Sequence, residues 1–225
     1  RFGGDLVCAS GIGASAASCA ALARALSDEF SLGWDDEKVN EAAYEGEKGY
    51  HGTPSGIDNT AATFGGLIWF QKDPQGGPNI FRKMKLREPT DLVIADTGIT
   101  ADTAQVVADV HRRREKYPLQ FEQILAQYKG LVSDAEQALN ALDLKQVGLL
   151  MNSNDDLLQK IGVSCDEVEG LVSLAREEGA LGAKLTGTGR GGNIIALTPG
   201  KRLREKVVNA FKERGVTVWA TQIGV

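Results

Sequence analysis

The chain has 225 residues, of which 25 are Lys or Arg and 30 are Asp or Glu, giving a formal net charge of −5. Hydrophobic residues make up 42% and charged residues 24%, which is typical of a globular protein and excludes disordered, collagen-like and fibrous chains. The acidic balance argues against broad nucleic-acid binding, and the lack of an apolar run of about 18 residues argues against a membrane span.

The first predicted elements are a short strand and a helix joined by a glycine loop. The apolar run over 5–9 predicts a buried strand, and the loop over 10–15 (Ser-Gly-Ile-Gly-Ala-Ser) leads into a helix over about 16–30. On this helix, apolar residues recur at spacings of three and four: Cys19, Leu22, Leu26 and Phe30. The other face of the helix is mostly alanine. We therefore expect it to pack closely against a sheet.

A second helix is predicted from the segment that begins at Trp34. Asp35 can cap its free N–H groups, and Trp34 can pack on Val39 as a hydrophobic staple. The helix is expected to run to about Lys48. After it come a turn-rich loop over 51–59, a strand over 67–70, a surface turn over 73–79 and a strand over 92–95.

The remaining chain is predicted to be mainly helical at first and mixed afterwards. The helical pattern over about 100–160 is interrupted at Pro118 and ends at Gly162, and Ser164 with Glu167 predicts a capping box for a further helix. The glycine-rich segment 184–192 then precedes a strand over 193–197, a helix over about 201–214 and a strand over 216–220. This mixture predicts an α+β protein, with one domain over 1–97 and a second over 98–225.

The loop over 10–15 is a candidate phosphate site. Gly11 and Gly13 permit a tight turn, and the helix that follows presents unpaired N–H groups with partial positive charge. The Ser15 hydroxyl can reach a phosphate oxygen or a bound Mg²⁺. An ordinary strand–helix turn explains this segment equally well on its own. A dinucleotide fold is disfavoured because a second helix, and not a strand, follows the first, and no Walker A motif is present.

Two carboxylates flank the turn-rich loop, at Glu47 and Asp58. Pro54 and Gly56 restrict the loop, so both carboxylates can be aimed at one place. One can hold a metal ion, and the other can accept or orient a proton from a hydroxyl nucleophile. For an isolated pair, a helix-end charge and a capping aspartate are the simpler alternative, and His51 alone is typical of a loop or packing histidine.

The segment 187–192 contains four glycines in six residues. Such a segment lets the backbone approach another backbone or a phosphate closely. Lys184, just before it, is either a phosphate contact or a solvated charge.

Taken together, the segments 10–17, 51–59 with Glu47, and 184–192 resemble the ordered motifs of the GHMP kinases. The similarity spans essentially the whole chain, and its most specific part is the stretch His-Gly-Thr-Pro-Ser-Gly-Ile-Asp-Asn. The resemblance implies an α+β GHMP kinase fold, with a ribosomal-protein-S5-like N-terminal half and a ferredoxin-like C-terminal half. It implies ATP-dependent phosphorylation of (R)-mevalonate to 5-phosphomevalonate. The alternatives are another acceptor, such as phosphomevalonate or a sugar, or a non-catalytic ligand sensor.

The resemblance also implies roles for individual residues. Asp58 is the implied base that engages the C5 hydroxyl of the acceptor, and Ser15 and Glu47 are the implied ligands of Mg²⁺. The implied nucleotide-binding residues are Ser10, Gly11, Ile12, Gly13, Ala14, Ser15, Gly187 and Gly189. The implied partners are ATP and mevalonate, and the protein is a possible homodimer. Neither nucleic acid nor a membrane is an expected partner.

The sequence departs from the family pattern at several positions. Ala14 stands where many relatives have serine, and Thr188 and Arg190 stand where small residues are more usual. Arg190 can contact a phosphate or a substrate carboxylate, or it can mark a subfamily. The family's first motif, which contributes a lysine that pairs with the catalytic aspartate, precedes the glycine loop. We therefore expect the 225 residues from Arg1 to lack that motif and to be inactive alone.

The cysteine pattern bears on the compartment. Cys8, Cys19 and Cys165 lie far apart and form neither a CxxC pair nor a metal-ligand spacing with a histidine. This pattern is typical of reduced thiols and predicts a cytoplasmic location.

Overall fold

A computed structural model describes residues 12–73 and 75–224, and the chain divides into two units after Lys85. Within the described residues, the first unit contains three helices and two strands: α1 (Ala14–Glu29), α2 (Asp36–His51), α3 (Ile57–Phe64), β1 (Leu67–Gln71) and β2 (Ile80–Met84). The second contains β3 (Thr90–Asp96), α4 (Thr103–Lys116), α5 (Pro118–Ala141), α6 (Leu144–Ile161), α7 (Asp166–Glu177), β4 (Gly182–Thr186), β5 (Asn193–Leu197), α8 (Lys201–Glu213) and β6 (Thr217–Ile223). Among these helices, none has the length and hydropathy of a transmembrane span. The strand predicted over 5–9 lies outside the described residues.

In the first unit, α1 packs on α2 through small side chains. Ala20 and Ala23 are buried against Val39 and Ala43 of α2. Small side chains let two helices approach closely, so the alanine face of α1 forms this contact. Three of the large apolar residues that recur along the helix are exposed: Leu22, Leu26 and Phe30.

The start of α2 agrees with its prediction. The Asp35 carboxylate accepts a hydrogen bond from the Lys38 N–H at 2.9 Å and so caps the helix. Trp34 packs against the cluster that contains Val39, as a hydrophobic staple requires.

The end of α2 differs from the prediction. The helix continues past Lys48 to His51, and α3 begins at Ile57. Both ends of the segment 51–59 are therefore helical. Only 52–56 remains as the connection. The asparagine and threonines of α3 are weak helix formers, which explains why the sequence pattern did not indicate a helix there.

The second unit is built on an antiparallel sheet with the strand order β4-β5-β3-β6. Helices α4 to α7 connect β3 to β4, and α8 connects β5 to β6, which gives the β-α-β-β-α-β order of ferredoxin-like folds. Val93 and Ile194 lie in the main core, where α7 and α8 pack on the sheet. Leu92 lies on the opposite face, in a cluster with residues of α5 and α6. The α+β class is confirmed.

Side chains from the helices cover the outer edge of β4. Asn152 Oδ1 accepts a hydrogen bond from the Ala183 N–H at 3.0 Å, and Asp155 Oδ1 accepts one from the Leu185 N–H at 3.1 Å. Arg176 donates to the Ala183 carbonyl at 2.7 Å. These contacts occupy the backbone groups with which a further strand would pair, so the sheet ends at β4.

The division between the units falls before the boundary that we predicted at residue 97. The reason is β3, which pairs with β5 on one side and with β6 on the other and therefore belongs to the second unit. The apolar pattern over 92–95 predicted the strand but carried no information about these distant partners.

Two predictions about helix ends in the second unit need correction. The helical pattern over 100–160 is also interrupted between α5 and α6, where Asp143 caps α6 with its side chain. The capping box of Ser164 and Glu167 is wrong, because Cys165 is the N-cap residue of α7. The Ser164 hydroxyl is instead buried with no hydrogen-bond partner in the described part of the chain.

Candidate active site

The N-terminus of α1 follows directly on the glycine loop. Gly13 is its N-cap residue, with a φ of 74° that favours glycine. Because this residue has no side chain, the first N–H groups of α1 are left for another acceptor. Ile12, Ala14 and Ser15 are partly buried around the turn, whereas the predicted residues Ser10 and Gly11 lie outside the described residues. Helix starts of this kind bind anions.

His51 lies between the two predicted metal ligands. The Ser15 hydroxyl is 3.4 Å from His51 Nε2, and the same nitrogen is 3.8 Å from Glu47 Oε2. Glu47 and His51 are one turn apart on α2, a spacing that places two side chains on the same helix face. The structure therefore brings Ser15 and Glu47 together around a histidine.

The carboxyl group of Glu47 is almost completely buried, with 1% of the residue exposed. Its Oε1 atom has no hydrogen-bond partner among the described residues. A buried carboxylate is costly unless a charge, a hydrogen bond or a metal ion compensates it. A buried carboxylate oxygen without a protein partner suits a hard divalent cation.

The close approach of α1 and α2 depends on Gly46. A Cβ at this position would lie 2.8 Å from Cys19 Sγ, so a larger residue would push the helices apart. Gly46 precedes Glu47, and Cys19 lies one turn after Ser15, so this contact lies next to both predicted ligands. Burial and the nearby charge of Glu47 raise the pKa of Cys19, which keeps this thiol in its less reactive form.

Asp58 lies in the first turn of α3, and it is exposed. The helix is held in place by Asn59, whose Nδ2 donates to Asn40 Oδ1 at 2.6 Å. Within the described residues, Asp58 forms no hydrogen bond or ion pair with Ser15 or Glu47. The start of a helix stabilises a carboxylate, so Asp58 is an accessible anion on a fixed backbone.

The glycine-rich segment of the second unit is held from two sides. A Cβ on Gly189 would overlap the Val163 carbonyl oxygen, so only glycine fits this approach. The Arg190 N–H donates to the same carbonyl at 2.8 Å, and the Gly192 N–H donates to the Ile99 carbonyl at 2.7 Å. The backbone of this segment is therefore tied to the connections before α4 and before α7.

One basic residue before this segment and one within it both contact protein groups. Lys184 Nζ donates to the Leu185 carbonyl at 2.6 Å, and burial lowers the pKa of Lys184 although the charge of Asp155 opposes this. Lys184 is therefore not a simple solvated charge. Arg190 forms an ion pair with Asp109 at 2.5 Å.

The sequence alone indicated only a loop or packing role for His51 and did not single out Asp109. The four-residue spacing of Glu47 and His51 would have indicated a shared helix face if the helix had been extended to residue 51. The contact between Asp109 and Arg190 joins residues 81 positions apart and has no local signal.

Two family models match the chain. Residues 3–66 match the model of the GHMP kinases N terminal domain, and residues 135–217 match the model of the GHMP kinases C terminal region. The first match includes α1, α2 and α3, and the second includes β4 and β5 with the segment between them.

Several mevalonate kinases are similar to this chain over most of its length. The crystal structure of L. major mevalonate kinase in complex with R-mevalonate is 46% identical, with a TM-score of 0.91, and the match covers 98% of this chain and 68% of that chain. The mevalonate kinases of Thermococcus sibiricus and Pyrococcus abyssi are each 35% identical over 95% of this chain. The chain spans 63% and 62% of the length of these two relatives.

Proposed function

This chain belongs to the GHMP kinases, and on that premise we propose that the protein transfers the γ-phosphate of ATP to the C5 hydroxyl of (R)-mevalonate. The observation that carries the choice of acceptor is the similarity, over 98% of the chain, to a mevalonate kinase whose structure holds R-mevalonate. The contact of Ser15 and Glu47 through His51, at the start of α1, supports the reaction class. The products are 5-phosphomevalonate and ADP.

In this proposal the N-terminus of α1 binds the phosphates of ATP. Gly13 lets the backbone turn close to the ligand, and the free N–H groups and the helix dipole favour the negative charge. Phosphoryl transfer depends mainly on positioning and charge neutralisation, and these groups contribute to both. Gly187 and Gly189 are further proposed contacts of the nucleotide.

Ser15 and Glu47 are the proposed ligands of Mg²⁺. Their hydroxyl and carboxylate oxygens are the donor types that this ion prefers, and Glu47 Oε1 is buried without a partner among the described residues. The described chain contains no group of three or more His, Cys, Asp and Glu residues that could bind a metal ion. Few protein ligands suffice for Mg²⁺, which usually completes its coordination with water and substrate phosphates. When bound, the ion would neutralise phosphate charge.

Asp58 is the proposed base. Its exposed carboxylate is accessible to the acceptor and can accept or orient the proton of the C5 hydroxyl as that oxygen attacks phosphorus. The hydrogen bond of Asn59 to Asn40 limits movement of the helix that carries it. A fixed carboxylate contributes more to such a step than one that must be ordered on binding.

A substrate panel with the full-length protein tests the proposal. With ATP and Mg²⁺, we expect ADP release and 5-phosphomevalonate from (R)-mevalonate, and no product from 5-phosphomevalonate or galactose. Turnover of another alcohol without turnover of mevalonate would assign a different acceptor. Binding of MgATP without turnover of any alcohol in the panel would indicate a non-catalytic ligand sensor.

A further inference from the structure

Arg190 connects the glycine-rich segment 187–192 to α4. Its Nη1 lies 2.5 Å from Asp109 Oδ2, and its Nε donates to the Gly162 carbonyl at 3.0 Å. Its backbone N–H donates to the Val163 carbonyl at 2.8 Å. One residue of the segment therefore contacts both α4 and the connection between α6 and α7.

The backbone conformation of Arg190 is unfavourable for an arginine. Its φ is 53°, in the left-handed region that residues with a Cβ rarely adopt. Its neighbours Gly189 and Gly191 also have positive φ and are glycine. Such a conformation persists where surrounding contacts outweigh the strain, and the contacts of the Arg190 side chain are of this kind.

Asp109 also contacts two residues of its own helix. It accepts a hydrogen bond from Gln105 at 3.1 Å and forms a second ion pair with Arg112, both from α4. The hydrogen bond from Arg190 is the main cause that lowers the pKa of Asp109, and the charges of both arginines add to it against an opposing effect of burial. The carboxylate is therefore ionised at neutral pH.

The elements that this pair joins line a cavity of about 200 Å³. Val106 of α4 lies on one wall, and Thr188 of the glycine-rich segment lies on another. The hydroxyls of Thr103 and Thr188 are 3.0 Å apart and make a second link between these walls. The segment is thus joined to α4 by two links: the hydroxyl contact and the ion pair of Arg190 with Asp109.

We propose that Arg190 and Asp109 form a clamp that positions the segment 187–192 for phosphoryl transfer. The inference rests on the proposed function, in which Gly187 and Gly189 contact the nucleotide. A glycine segment that must be ordered on binding costs conformational entropy, and a clamp that orders it beforehand removes this cost. Both are positioning residues, because neither is assigned a contact with the reacting atoms.

Two substitutions at Arg190 separate positioning from stability. Arg190→Ala removes the clamp and keeps a Cβ at positive φ, whereas Arg190→Gly removes the clamp and relieves the backbone strain. We expect kcat/KM for ATP to fall about 10- to 100-fold in both variants, mainly through a higher KM. We also expect the Tm of R190G to lie above that of R190A, so that the loss of activity does not follow stability. Arg190→Lys, which keeps the charge, should restore part of kcat/KM.

Arg112→Ala is the matched control, since Arg112 pairs with Asp109 from within α4. We expect kcat/KM close to that of the wild type in this variant. If kcat/KM followed Tm across all four variants, or if R190G kept the wild-type kcat/KM, the pair would have only a structural role and the proposal would be overturned.

Hydrogen exchange of the amides in 187–192 provides a second measurement that needs no substrate. These amides should exchange about tenfold faster in R190A and R190G than in the wild type and R112A. Unchanged exchange would overturn the clamp. If the exchange rates change as expected but the protein does not phosphorylate mevalonate, the clamp stands and only the proposed function is contradicted.

Discussion

Ser15 and Glu47 lie on different helices, and the imidazole of His51 is within reach of both. The start of α1 fixes the backbone of Ser15, and burial fixes the carboxylate of Glu47. The spacing of the two oxygen donors is therefore set before any ligand binds, which lowers the cost of ordering them around an ion.

Ser15→Ala tests the proposed metal role. Losing one contact to a charged group costs about 1.5–3 kcal/mol, so we expect the apparent affinity for Mg²⁺ in the presence of ATP to fall roughly 10- to 100-fold. Ser18→Ala is the matched control, because Ser18 lies on the same helix and its hydroxyl donates to the Ala14 carbonyl. Titration of activity with Mg²⁺ measures the effect, and an unchanged Mg²⁺ dependence in S15A would argue against a ligand.

Asp58→Asn tests the proposed base. An amide cannot accept the proton of the acceptor hydroxyl, so we expect kcat to fall by about 100-fold or more, with little change in the KM for ATP. Asp166→Asn is a suitable control, since Asp166 is also an exposed aspartate in the first turn of a helix. Steady-state kinetics of both variants distinguish the two sites, and near-normal turnover in D58N would remove Asp58 from the mechanism.

At the scale of elements, α6 approaches β4 so closely that only glycine fits at the contact. A Cβ on Gly148 would overlap the Leu181 carbonyl oxygen, and one on Gly182 would overlap the backbone of Gly148. This approach brings Asn152 and Asp155 within hydrogen-bond distance of the β4 edge. Packing and edge protection therefore depend on the same pair of glycines.

The substitution Gly148→Ala should destabilise the protein by about 1–3 kcal/mol, because the added methyl group has no space. The same change at Gly130 should stabilise it by about 0.5–1 kcal/mol, because Gly130 is helical and a Cβ there would meet nothing within 4 Å. Denaturant unfolding of the two variants gives the free energies. Equal effects of the two substitutions would contradict the close approach of α6 and β4.

Elements with a local signal could be predicted from the sequence. The cap at Asp35, the strands at 67–70 and 193–197 and the helix that begins at Lys201 all have clear periodicity or turn chemistry. Elements that are stabilised mainly by contacts with distant parts of the chain could not be predicted in this way. The helix α3 has weak intrinsic helix formers, and it packs against both α1 and α2.

At the scale of the whole molecule, the order of three motifs along the chain identified the family, and the comparisons confirm it. The roles of Ser15, Glu47 and Asp58 stay predictions; the first two both lie near His51 Nε2, at 3.4 Å and 3.8 Å. The pair of Arg190 and Asp109 could not be predicted, because two single charges so far apart in sequence share no pattern.

Asp91 joins three elements of the second unit. Its carboxylate accepts hydrogen bonds from the Gly200 N–H before α8, from Arg204 in α8 and from Gln222 in β6. Burial alone would raise the pKa of Asp91, but the hydrogen bonds from these three partners outweigh it and lower the pKa from its ordinary value of 3.8. The folded state therefore favours the ionised form.

A lowered pKa in the folded state means that Asp91 stabilises the protein above pH 3.8 and that this contribution is lost as the pH falls through the lower folded value. We expect Asp91→Asn to reduce stability at pH 7 by about 3 kcal/mol and to flatten the acid limb of the stability curve. The exposed Asp134→Asn should leave both unchanged. Chemical denaturation between pH 2 and 7 measures the curves, and parallel acid limbs in D91N and the wild type would contradict this account.

The covered edge of β4 limits how copies of this domain can join through their sheets. In the part of the chain that the structure describes, the other margin of this sheet is β6, so this sheet offers one edge for intermolecular strand pairing. If two copies pair through β6, the joined sheet presents a closed margin at both ends. Growth by backbone pairing then terminates at two copies, whereas a sheet with two open margins would extend into a fibril.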